Sequence, residues 1–386
     1  MRPGIRRPLR GPEILIAVAT TIVTWLVAVI PIVVYGLASV LGRIPQIRRA
    51  YQYLSERYDH YLHRLGQEVL QDPRDTPALR LMVSLSLTAV PIFVWQLIIR
   101  EYNFVLAGAF YISIYGANFN RFVRMFSAQH IESHRRRGYF SKKYQKVFGR
   151  YAEFFLGYLY GNVPEMGRTA HLRLHHKENN SPADPADSRC YDRTSRLDFH
   201  TFLAHNIWSL LGINAYTYFG AKHQVKNQRR MLYGMARYYT YAICVFIYDW
   251  KIALLYVLAP FLCMNYLTSI IAWVQHAFTD PRNPDDYLAN TVTVVDDTNF
   301  MNEGYHLCHH HAAGLHWTEM PAHFERIHEI MKASGSMVFR DLDYIGLFFE
   351  LTLLRRLDRL ARKLVPWSPM NEEERLNLIV RRTRPA

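Results

Sequence analysis

The sequence predicts an all-α integral membrane protein: a four-span stem in two helical hairpins, a cytosolic histidine-rich helical cap, and an N-terminal membrane helix. Three observations predict it. Apolar runs at about 81–99, 103–120, 232–248 and 252–274 each approach the roughly 20 residues that cross a hydrocarbon core. The runs come in pairs, parted only by Arg100-Glu-Tyr-Asn103 and by Asp249-Trp-Lys251. Three histidine clusters lie outside the runs, in the polar segments that border them.

Half of the 386 residues are hydrophobic, yet the mean hydropathy is −0.10. That combination requires strongly apolar blocks separated by strongly polar ones. A net charge of +14 suits either nucleic acid or an anionic membrane surface. No nucleic-acid module is recognisable and the charge sits beside the apolar runs, so the bilayer is the expected partner and nucleic acid is not. Cys190, Cys244, Cys263 and Cys308 form no CxxC pair, which argues against an iron–sulfur or zinc-ribbon site.

Residues 1–80 form an N-terminal extension. Arg2, Arg6, Arg7 and Arg10 precede an apolar run from about Ile14 to Leu41. The run is too long for a signal peptide and no clear cleavage site follows it. It is expected to be a retained membrane helix, with Pro31 as a kink. Its basic flanks leave two arrangements open, a crossing with the N-terminus outside and a re-entrant or interfacial element. Residues 42–80 are polar and expected to form a surface helix pair.

Residues 81–335 form the central domain. Segment 121–150 carries Arg121, Arg124, Arg135, Arg136, Arg137, Lys142, Lys143, Lys146 and Arg150 against Glu132 alone. The two hairpin turns are almost neutral, so the positive-inside rule puts the turns outside and the histidine segments in the cytosol. His130 and His134 are expected on a continuation of the second span. In 144–160, Val147, Tyr151, Phe154, Phe155 and Tyr158 share a helical side, which predicts an in-plane interfacial helix or core packing beneath the histidines. Residues 336–386 form a basic amphipathic C-terminal segment. There Leu353, Leu354, Leu357, Leu360, Ala361 and Leu364 alternate with Arg355, Arg356, Arg359, Arg362 and Lys363, a pattern expected at a membrane surface. Residues 368–386 are expected to fray.

The chemistry lies in the histidines. His130-Ile-Glu-Ser-His134, His171-Leu-Arg-Leu-His175-His176 and His306-Leu-Cys-His309-His310 form three clusters. Helical neighbours four apart lie on one face, roughly 6 Å between Cβ atoms, which suits two ligands to one metal. His306, His309 and His310 are thereby expected to face one point. Neutral imidazole is the commonest ligand for transition metals. His276, at the cytosolic end of the fourth run, is a ninth candidate, with an interfacial anchor as its alternative. Nine histidines are too many for one ion and enough for two. His60, His63, His200, His205, His223 and His328 are expected at surfaces, and His311, His316, His323 and Cys308 off the ligand set. Glu132, Glu178, Asp184, Asp187, Asp297, Asn302 and Glu303 are placed to orient imidazoles. Asp184 and Asp187 could equally cap turns at Pro182 and Pro185.

The pattern HxxxH, HxxxHH, HxxHH between two pairs of spans resembles the histidine boxes of the integral-membrane fatty acid desaturases and their hydroxylase relatives. The resemblance covers about residues 80–330. It is most specific where Gln275-His276, Pro281, Asp286, Asn302, His306, His309-His310 and Met320-Pro321-Ala-His323 are similar to acyl-lipid desaturases. Box two departs from the HxxHH of many members. Ser181-Pro-Ala-Asp-Pro-Ala-Asp-Ser-Arg189 also resembles membrane alkane hydroxylases.

The resemblance implies a four-helix stem under a cytosolic cap and two Fe ions held by His130, His134, His171, His175, His176, His276, His306, His309 and His310. It implies an oxygen-dependent desaturase of a fatty acyl chain, an oxidoreductase with no catalytic side chain beyond the metal centre and O2 as co-substrate. A hydroxylase or ketolase of an alkyl, sphingoid or carotenoid substrate is the alternative. An unactivated C–H bond lies beyond side-chain acids, bases and nucleophiles, whereas cofactor-borne oxygen chemistry reaches it. Imidazole ligation suits iron, though zinc and copper accept it too. Trp273, Tyr266 and Phe278 are candidates for the lining of an acyl tunnel or for ordinary span packing. The chain shows no haem, ferredoxin-type or flavin-binding signature. The expected partners are therefore a lipid or acyl-thioester substrate and a separate electron donor, of ferredoxin or cytochrome b5 type with its reductase, docking on the basic cap.

Overall fold

The computed structural model describes residues 7–116, 119–297 and 299–385. Arg2 and Arg6 of the basic N-terminus, and residues 117–118 of the second apolar run, lie outside them. The chain separates into two compact units. A hairpin unit comprises residues 20–168 and 229–264, and a histidine unit comprises 169–228 and 265–386 with the residues up to 19.

Among the described residues, three helices are long and apolar enough to cross a membrane: Gly11–Leu41, Pro73–Ile99 and Trp250–Gln275. The first runs through Pro31 without a break. The expected span at 103–120 is the shorter helix Phe104–Tyr115. The expected span at 232–248 lies within Val225–Tyr248.

In the hairpin unit both predicted turns form, and their chemistry is local. Arg100 adopts a left-handed conformation that ends Ala89–Ile99. Asn103 then caps the next helix by accepting from the Val105 and Leu106 amides. Asp249 caps the segment from Trp250 in the same way, through Lys251 and Ile252. Such caps satisfy amide donors that have no partner inside the helix. The Arg100 guanidinium lies 4.4 Å over the Tyr248 ring, and the Tyr248 hydroxyl donates to Leu97 O at 2.6 Å. The two turns therefore stand at the same end of this unit. Beneath them Phe93, Phe110 and Tyr256 pack together, and the Tyr111 hydroxyl donates to Leu255 O.

Three expectations for this unit are corrected. His130 and His134 do not continue the second span; they belong to a separate helix, Asn120–His134. Gly116 (φ 74°) and Phe119 (φ 61°) turn the backbone before it starts. Residues 42–80 contain a single long helix, Pro45–Val69, followed by a short turn and the start of the next apolar helix. Segment 144–160 is no continuous amphipathic helix. It breaks into Gln145–Phe148, Tyr151–Phe154 and Leu156–Tyr160. Gly161 ends this segment at φ 78°, where a Cβ would stand 2.4 Å from Phe261 Cα, so only glycine permits the approach.

The histidine unit is organised by Arg193, a fully buried guanidinium. It donates to the carbonyls of Ser188, Arg189, Tyr191, Ala277 and Arg382. One side chain thus ties the loop after box two to the segment after Gln275 and to the C-terminus. Two short parallel strands, Thr293–Val295 and Val338–Arg340, pair in the same unit. The C-terminal residues do not fray. Helix Glu372–Thr383 starts with an Asn371/Glu374 capping box, and it buries Ile379 and Arg382. The basic amphipathic stretch is also redirected. Leu360, Ala361 and Leu364 are buried in this unit, while Leu354 stays exposed.

Candidate metal centre

Box two sits on an uncommon backbone. Met166–His175 is a π-helix, and His176 begins the short helix that follows. A wider turn makes residues five apart neighbours, where an α-helix pairs residues four apart. His171 and His176 accordingly bring their Nε2 atoms to 3.0 Å, while His175 offers its nitrogen to a different cluster. Box three lies on the helix His306–His311. Its three histidines do not face one point, as the offsets suggested. His306 and His310 converge, their Nε2 atoms 3.1 Å apart, whereas His309 turns to His176 at 3.1 Å.

The histidine unit therefore assembles two sets. His175, His276, His306 and His310 each offer a ring nitrogen, all within 4.8 Å of one another. His171, His176 and His309 form the second set. In the hairpin unit His130 and His134 stand together, with ring centroids 5.2 Å apart. His276, about thirty residues from the nearest box, is brought in by its place one residue past the Trp250–Gln275 helix.

Hydrogen bonds fix the ring orientations. His175 Nδ1 lies 2.7 Å from Asp184 Oδ2. Burial by itself would raise the Asp184 carboxyl, but His175 and the Asn180 and Ala186 amides hold it below its ordinary value. A carboxylate only accepts, so Nδ1 carries the proton and the Nε2 lone pair is left free. His310 Nδ1 lies 2.8 Å from Asn179 Oδ1, which orients that ring in the same sense. Burial, then the neighbouring His175, lowers His276 to about 3. Burial and four neighbouring imidazoles keep His310 well below its ordinary value. Both rings are thus neutral at physiological pH, the form that ligates.

This donor set fits a cation. His306 and His310 aim their Nε2 atoms at one point, 3.1 Å apart. Two ligands about 2.1 Å from one ion at right angles stand roughly 3 Å apart. Both ring nitrogens of His276 are buried and make no hydrogen bond of ordinary geometry. Such orphaned polar atoms are costly unless a ligand satisfies them.

Of the orienting groups expected from sequence, Asp184 meets a histidine while also capping its own turn. Glu178 instead accepts from the Tyr218 hydroxyl and from Ser181, and Asp187 binds Arg189. Glu132 accepts from the Glu153 amide, and Asn302 donates to Trp317 O. Asn179 was not singled out. Its signal is a left-handed residue at the end of box two (φ 46°), a conformation asparagine tolerates. Trp273 serves packing: it is buried against Phe199 and Phe202, and its Nε1 donates to Arg193 O and Thr352 Oγ1. Cys308 is buried in an apolar cluster with Leu307 and Met331. His311 and His323 pair with each other on the surface.

Comparison with curated proteins and with solved structures finds no match. A family profile described as fatty acid desaturase matches residues 102–341, more than half of the chain and all three histidine clusters. With its boxes built onto these helices, the chain belongs to the fatty acid desaturase family.

Proposed function

We propose that this protein is a membrane-bound, oxygen-dependent di-iron desaturase acting on a fatty acyl chain. The observation that carries the proposal is the set of His175, His276, His306 and His310, converging beside a second set of His171, His176 and His309. By the family pattern, His130 and His134 supply the remaining ligands of the second ion. Iron with dioxygen supplies the oxidising power that an unactivated C–H bond demands. The chain's own residues hold the imidazoles neutral and oriented, through Asp184 on His175 and Asn179 on His310. Electrons come from a separate donor protein that docks on the basic cytosolic surface.

A hydroxylase using the same metals is the second reading. It is favoured by Ser181–Arg189, the hydroxylase-like segment, which places Asp184 on His175. Lipid mass spectrometry of a host with and without the expressed chain tests both. A new double bond supports desaturation, and a product heavier by one oxygen atom supports hydroxylation. Elemental analysis of the purified protein is expected to find two irons per chain. Stoichiometric zinc with activity intact would overturn the di-iron assignment.

A further inference from the structure

In the histidine unit an open notch of about 470 Å³ is lined by Asp192, Thr194, Ser195, Arg196 and Arg355. Its two sides come from distant parts of the chain. One is the start of helix Arg196–Leu210, and the other is the turn that follows Phe349–Leu353. Arg196 joins them, donating from Nε to Leu353 O at 2.9 Å and also from Nη2. A guanidinium has five N–H donors, so its remaining edge is available to a ligand. Asp192 adds one negative charge, but its Oδ1 is already engaged by the Thr194 amide and hydroxyl.

Arg355 has φ 55°, a conformation that favours glycine. A strained residue persists where the surrounding structure enforces it, and such positions gather at ligand clamps. Among the described residues Arg355 makes no ion pair. Large apolar side chains close to these residues in the chain are exposed: Leu197 is 75%, Leu354 50% and Phe349 40% exposed. Arginines set among bare leucines and phenylalanine make a poor water-facing surface and a good bilayer-facing one.

The depth agrees. Trp273 Nε1 donates to Arg193 O and Thr352 Oγ1, three residues from Arg196 and Arg355 respectively. Trp273 lies two residues from the end of the apolar helix Trp250–Gln275. On the membrane reading, the notch then lies beside the Gln275 end of that helix, near the level of lipid phosphates.

We infer that the Arg196–Arg355 notch binds the phosphate of a bilayer phospholipid, with Leu197, Leu354 and Phe349 resting on its acyl region. The inference rests on the reading of this chain as a membrane lipid enzyme. It adds a lipid contact separate from the histidine sets.

The test is native mass spectrometry of the full chain in detergent, titrated with phosphatidylglycerol, with a diacylglycerol lacking phosphate, and with coenzyme A as a soluble phosphate. Wild type is expected to retain a phosphatidylglycerol adduct that diacylglycerol does not replace. Arg355→Gly relieves the backbone, so its melting temperature should be unchanged or higher, while adduct affinity falls about tenfold, as expected for losing a charge-assisted hydrogen bond. Arg355→Glu should lose the adduct altogether. Equal retention in wild type and both variants overturns the site. Displacement by coenzyme A as readily as by phosphatidylglycerol overturns the bilayer as the source of the phosphate. The readout needs no turnover. An inactive chain that loses the adduct in the variants still supports the site, and an active chain whose adduct is unchanged refutes it.

Discussion

His171 and His176 are five residues apart in the chain and 3.0 Å apart at Nε2. The π-helical backbone of box two makes that contact, and it divides the box between two ligand sets. HxxxHH in a regular α-helix would place His171 beside His175. The extra residue within the turn instead sends His175 to His276, His306 and His310.

His276→Ala is expected to abolish product formation and lower bound iron, because on the proposed reading it removes a buried ligand from a four-nitrogen set. His223→Ala and His328→Ala should do neither, since both side chains are exposed. Iron content and product yield, measured on the same preparations, decide the matter. Near-normal values for His276→Ala would remove it from the centre.

Asp184→Asn and Asn179→Leu each disturb a hydrogen bond to the Nδ1 of a proposed ligand, His175 and His310 respectively. Each should weaken metal affinity by roughly 10–100-fold, less than loss of a ligand itself. Chelator competition on the purified variants measures the difference. Wild-type affinity in both would show that these contacts only shape the loop.

Arg193→Lys keeps the charge but replaces five N–H donors with three. At least two of the five carbonyls now bound would lose their partner. Destabilisation of about 3 kcal/mol follows from orphaning buried acceptors, read as a lower melting temperature in detergent. An unchanged melting temperature would contradict the role of this side chain as a tie between three segments.

The contact of Arg100 with Tyr248 places both hairpin turns at one end of their unit. The positive-inside rule assigns the basic 121–150 segment to the cytosol, and on that assignment cysteines introduced at 100 and 249 should react with an impermeant reagent added outside intact cells. Cysteines at 136 and 306 should not. Labelling at 136 from outside would invert the topology.

The sequence by itself determined the helical class, the two capped turns and the identity of the histidine clusters. Each of these is local. An apolar run of sufficient length, an Asn or Asp before a helix and a histidine repeat are all written within a few residues. Which histidine joins which set was decided only by the tertiary structure. It depends on the π-helix that brings His176 to His171 and on the turn of box three that sends His309 to His176. It also depends on a chain path that returns His276 to residues far away in sequence. Asn179 and Arg193 escaped notice for the same reason: their partners, His310 and the Ala277 and Arg382 carbonyls, are remote in the chain. The C-terminal amphipathic stretch shows the limit from the other side. Its pattern records that one face is apolar, but a protein core and a bilayer demand the same pattern. Only packing decided that Leu360 and Leu364 face the core, while Leu354 was left exposed.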